Sequence, residues 1–91
     1  MLEKMMPIGS VVRVDGIGSR VLICGHQQMK KGDEGHIYDY IGVSFPSGYT
    51  GSDEMILFDH SSILLIYFIG LRNQEQIEYM NAMAEALKAI N

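Results

Sequence analysis

The stretch from His36 to Gly48, HIYDYIGVSFPSG, reads as a long strand that ends in a forced turn. Its side chains alternate with a period of two. Ile37, Ile41, Val43 and Phe45 share one face, interrupted by Asp39, and His36, Tyr38, Tyr40, Gly42 and Ser44 share the other. The Ile-Val-Phe face is expected to enter the core. The tyrosines are expected on the more solvated side or under a covering element. Gly42 inside a strand marks a bulge, a bend or a close approach. Pro46 then removes a backbone donor and Gly48 supplies a flexible φ, so the strand stops.

The flanking segments build a sheet around this strand. Pro7 to Val14 is rich in β-branched residues and runs into Asp15-Gly16-Ile17-Gly18, and Ser19 to Gly25 answers it as the second strand of a hairpin. Gln27 to Gly35 is polar and twice interrupted by glycine, which predicts a mobile connecting loop. Met55 to Phe58 is a short strand. Asp59-His60-Ser61-Ser62 is a tight connector in which Asp59 or Ser61 can cap one helical turn. Ile63 to Ile69, ILLIYFI, is apolar on both faces, so both are expected to be covered, one by the barrel interior and one by a helix. That helix is predicted over 74–90. Asn73 is its N-cap, Gln76 stands in a capping-box position, and Glu75 and Glu78 lie near the positive end of the dipole. Ile77, Met80, Met83, Ala84, Leu87 and Ile90 form its apolar stripe. Docked on the fifth strand, Ile77, Met80, Met83 and Leu87 would contribute roughly 6–12 kcal/mol gross.

The resulting fold is α+β and mainly β. It is a five-stranded antiparallel SH3-like small barrel or curled sheet with one C-terminal α-helix, in a single domain over residues 1–91. The strands are expected at about 8–14, 19–25, 36–45, 55–58 and 63–69. A chain of 91 residues buries only about 60–70% of its unfolded surface, so one core is expected.

Charge and composition narrow the function. With 7 basic against 11 acidic residues and a net charge of −4, the chain offers no basic surface for phosphate backbones, so nucleic acid is not an expected partner. The start, Met1 to Met6, has no apolar stretch long enough for a signal peptide. The run Ile63 to Ile69 is far short of the ~20 residues that span a bilayer. The lone Cys24 cannot form an internal disulfide. These readings predict a cytoplasmic protein without membrane insertion.

No catalytic or metal-binding pattern stands out, and no cofactor is expected. His26, His36, His60 and Cys24 lack metal-ligand spacing. Cys24 reads as a buried strand cysteine, Gly16-Ile17-Gly18 as hairpin chemistry, and Asp39, Asp53, Glu54 and Asp59 as strand-edge or loop carboxylates. Tyr38, Tyr40 and Tyr49 are candidate partner contacts, because tyrosine offers a large, stiff contact area. Met80 and Met83 are further candidates, with core packing as the competing role.

Several short motifs carry a family resemblance. They are Pro7-Ile8-Gly9-Ser10-Val11-Val12, Asp39-Tyr40-Ile41-Gly42-Val43 followed by Pro46-x-Gly48, Phe58-Asp59-His60, and Gly70-x-Arg72. Together, over about Pro7 to Tyr79, the chain resembles a small domain-of-unknown-function family encoded in type VIIb secretion loci of Gram-positive bacteria, beside LXG-type toxins. The resemblance implies a non-enzymatic accessory protein that binds the helical LXG region of a toxin and assists its targeting to the secretion system. An immunity or regulatory protein of the same locus is the alternative, and a small hydrolase or metal-dependent enzyme is a third. A homo-oligomer stays open.

Overall fold

In the computed structural model the chain is described over residues 5–90, without the side chains of residue 33 and residues 87–90. Five strands, β1 (Val11–Val14), β2 (Arg20–Lys30), β3 (Asp33–Phe45), β4 (Ile56–Phe58) and β5 (Ile63–Phe68), precede one helix, α1 (Gln74–Ile90). They form one antiparallel sheet in the order β4-β3-β2-β1-β5. The sheet curls without closing, so β4 and β5 remain edges.

Gln27 to Gly35 is not a loop. β2 and β3 continue as a paired hairpin through Gln28↔Tyr38 and Met29↔Ile37, and turn only at Lys31-Gly32, where Gly32 has φ 91°. A hairpin arm that projects beyond the core has no buried face, so its polar sequence carries no alternation to read.

The core face is the reverse of the expected one. Val21 stands opposite Ser44, Ile23 opposite Gly42, and His26 opposite Tyr40. Tyr40, Gly42 and Ser44 therefore face inward with Val12, Val14, Val21 and Ile23. Tyr40 is 0% exposed at the centre of a cluster with Met5, Met6, Phe58 and Met80. Of the four residues expected in the core, Ile37 and Phe45 are exposed, Ile41 is half-buried and Val43 alone is buried. The inward face of β3 works because two of its residues are small. A Cβ on Gly42 would lie 2.6 Å from the Leu22 carbonyl oxygen and 2.6 Å from Val21 Cγ1. Gly42→Ala should thus cost about 1–3 kcal/mol by overpacking, lowering the melting temperature by about 5–20 °C. A calorimetric scan showing no fall would contradict this packing.

The helix begins as its cap signals require. Asn73 Oδ1 accepts the Gln76 backbone N–H at 2.9 Å. Its partner surface differs from the expected one. Met80 is buried in the central cluster and Met83 packs against it, while Ile77 is exposed. Leu87 and Ile90 lie outside the described side chains. The helix thus closes the core beside Met5, Met6 and Tyr40 and does not cover β5. Leu64, Leu65, Ile66 and Phe68 of that strand are exposed, with Leu64 and Phe68 each at 62%.

Candidate functional site

The motif residues meet in space as two structural joints. In the first, Gly9 has φ 96° and its N–H donates to the Ile23 carbonyl at 2.8 Å, while the Ile23 N–H donates to the Ser10 carbonyl at 2.9 Å. Buried Ser10 Oγ accepts the Gly70 N–H at 2.9 Å. A Cβ on Gly70 would collide with the Ile8 carbonyl oxygen. Pro7-Ile8-Gly9-Ser10 and Gly70-x-Arg72 are therefore two halves of one close backbone crossing.

In the second joint, Asp39 and Asp59 bind each other's backbone neighbourhood. Asp59 Oδ1 accepts the Asp39 N–H at 3.1 Å, and Asp39 Oδ2 accepts the His60 N–H at 2.9 Å. Asp39, not Asp59 or Ser61, thus caps the single 3-10 turn at His60–Ser62, where Asp59 makes no side-chain cap. Asp59 Oδ2 also accepts from His36 Nε2 at 2.9 Å. Beside them the Tyr40 hydroxyl accepts the Met6 N–H at 2.9 Å, which leaves its proton for His60 Nδ1 at 2.7 Å. His26 Nε2 donates to the Met6 carbonyl at 2.8 Å. Both backbone groups of Met6 are pinned from the core, and the amino-terminal segment is tied down by Tyr40 and His26.

Burial pushes the Tyr40 hydroxyl up to about 12; the Met6 hydrogen bond opposes this and the Asp39 charge adds to it. Its folded value lies above the unfolded one near 10. The stability it contributes is therefore complete below pH ~10 and lost as pH rises toward ~12. In an alkaline titration followed by tyrosinate absorbance, one of the five tyrosines should ionise late and together with unfolding. Tyr40→Phe should remove that late step; its persistence would contradict the assignment.

The candidate partner contacts divide accordingly. Tyr40 and Met80 are core residues, joined in one cluster with Met83 against it, so Tyr40 and Met80 are not surface contacts. Tyr38 is half-buried and packs edge-on against His36 at 4.5 Å. Tyr49 is 67% exposed in the segment after Gly48. Cys24 is exposed at the register shift between Ile23 and Gly25, contrary to its expected burial. Desolvation holds its thiol above the ordinary value despite an opposing backbone hydrogen bond, which makes it a weaker nucleophile. Among the described residues, no group of three His, Cys, Asp or Glu is arranged to hold a metal ion, and no helix is long and apolar enough to cross a membrane.

What sequence reasoning missed is the outward face of the sheet. Val11, Leu22 and Phe45, with Tyr67 and Phe68, line a shallow groove of about 400 Å³, with Arg20 at its rim. Tyr67 anchors two arginines there. Arg13 Nε donates to its hydroxyl at 3.0 Å, and the Arg20 guanidinium lies 4.3 Å from its ring centroid. The hydrogen bond from Arg13, followed by Arg20, lowers the Tyr67 hydroxyl below its ordinary range, the opposite direction to Tyr40. Leu64, Leu65, Ile69 and Leu71, along and beyond β5, are exposed as well. The sequence signal was present in ILLIYFI, apolar on both faces.

A family model described as a domain of unknown function (DUF4176) matches residues 5–79. The chain belongs to the DUF4176 family. The matched span begins at the buried Met5, takes in all five strands of the sheet and ends within α1 at Tyr79. Both DUF4176 joints, Pro7–Ser10 with Gly70 and Asp39-Tyr40 with Phe58–His60, lie inside it, as does the outward groove. The family description assigns neither activity nor partner. No curated protein and no solved structure matched the chain.

Proposed function

We propose that this protein is a non-enzymatic binding module, and that its partner is the helical LXG region of a secreted toxin, which it holds in the cytoplasm and helps target to a type VII secretion system. The observation that carries the binding role is the uncovered apolar surface of β5 and the sheet face beside it, with Leu64 and Phe68 each 62% exposed and Leu71 72% exposed. Contiguous apolar patches of this kind mark protein-interaction sites. His26, His36, His60, Asp39 and Asp59, by contrast, are engaged in backbone and side-chain bonds that hold the fold. The identity of the partner follows from the resemblance in the motif residues.

Co-expression with the neighbouring LXG protein tests the reading. Co-purification with the amino-terminal LXG region, and reduced toxin export when this chain is deleted, are the expected results. Failure on both counts would reject it. Binding to the toxin's carboxy-terminal effector half instead would favour an immunity role.

A further inference from the structure

The outward groove has a shape and a charge that specify its occupant. Its floor is formed by Val11 of β1 and Leu22 of β2, and its walls by Phe45 of β3 and by Tyr67 and Phe68 of β5. In the strand order β3-β2-β1-β5 the walls stand three places apart. Neighbouring strands are about 4.8 Å apart, so the walls are separated by about 14 Å. An α-helix with its side chains is about 10–12 Å across and fits that width. A single extended strand would leave it half empty.

The charge is one-sided. In a chain with net charge −4, two guanidiniums, Arg13 and Arg20, stand together on this otherwise apolar face and are held there by Tyr67. No acidic residue lines the groove. Among the described residues, neither guanidinium is paired with a carboxylate; both are held by Tyr67. Two fixed cations at the rim of an apolar trough complement an apolar stripe bordered by carboxylates, and they disfavour a helix bordered by lysines.

We infer that the groove binds an amphipathic helix of the partner, whose apolar stripe lies on Val11, Leu22 and Phe68 and whose flanking Asp or Glu is received by Arg13 and Arg20. This rests on the reading of the protein as a binding module. It adds the chemistry of the segment that is bound, which follows the helix-in-groove mode.

The test uses the full chain and synthetic helical peptides of about 18 residues, or five turns. Each peptide carries a leucine stripe at i, i+3, i+4 and i+7, flanked by Glu, by Gln or by Lys. Titrations followed by amide chemical shifts should show the Glu peptide binding at least about tenfold more tightly than the Lys peptide. The shifts should centre on Val11, Leu22, Phe45 and Phe68. Arg13→Gln combined with Arg20→Gln, verified as folded from its spectrum, should reduce the preference to about twofold or less. Equal binding of the three peptides, no binding by any, or shifts centred elsewhere would overturn the inference. A toxin that fails to co-purify while the Glu preference holds removes the LXG assignment and leaves the groove. A toxin that co-purifies without any peptide preference removes the groove alone.

Discussion

Tyr40→Ala should leave the domain without a cooperative unfolding transition. The side chain is fully buried, its ring stacks on Phe58 at 5.2 Å, and it also meets His26 and His60. Deleting a buried aromatic ring costs about 3–5 kcal/mol. Orphaning the Met6 N–H and the His60 ring nitrogen adds about 1–3 kcal/mol. A domain of this size holds only about 5–15 kcal/mol in total. Tyr40→Phe keeps the ring and loses the hydroxyl, so it should cost about 1–3 kcal/mol and still fold. Urea melts followed by circular dichroism separate the two. A loss below about 1 kcal/mol in the alanine variant would show that Tyr40 is not at the centre of the core.

The second large effect is on binding and should leave stability almost untouched. Phe68→Thr with Leu64→Thr places strand-favouring β-branched residues in an edge strand while removing two exposed apolar side chains. Truncated hot-spot residues cost about 2 kcal/mol or more each, so affinity for the partner should fall by a factor of 30 or more per position. Exposed positions change folding by about 0.5 kcal/mol, so the melting temperature should move by only a few degrees. Unaltered affinity would place the binding surface elsewhere.

The order of elements was legible in the sequence because turn chemistry and periodicity agree. Gly16, Pro46-Ser47-Gly48 and Asn73 mark boundaries that the structure keeps. Gly48 has φ 78° and donates to the Ser44 carbonyl at 2.7 Å. The orientation of β3 was not legible. Its hydrophobic sum favours Ile37, Ile41, Val43 and Phe45, yet the curled sheet needs small residues on its inner side. Tyr40 can enter because Met6 and His60 satisfy its hydroxyl. That satisfaction depends on residues 34 positions before it and 20 after it, which no local pattern reports.

The fifth strand lies where it was expected, at Ile63–Phe68, but its expected cover by the helix is not found, for a related reason. An apolar residue at every position implies that both faces are covered in the functional state. In this chain α1 is occupied with Met5, Met6 and Tyr40, so nothing among the described residues shields Leu64 to Phe68. The sequence signals a need for cover, and among the described residues the apolar side chains of β5 stay exposed, which is the surface proposed above for the partner. Two register shifts between β1 and β5 break the regularity of the free edge, a feature that works against open-ended strand addition.

Amide hydrogen exchange of the full chain, with and without the LXG region proposed as its partner, tests whether β5 and the sheet face beside it form the binding surface. Slowed exchange is expected across Ile63 to Leu71 and at Val11, Leu22 and Phe45, with the Tyr49 segment and the Lys31-Gly32 turn unaltered. A stable complex whose protection falls on Tyr49 or the hairpin tip, with β5 exchanging as in the free protein, would contradict it.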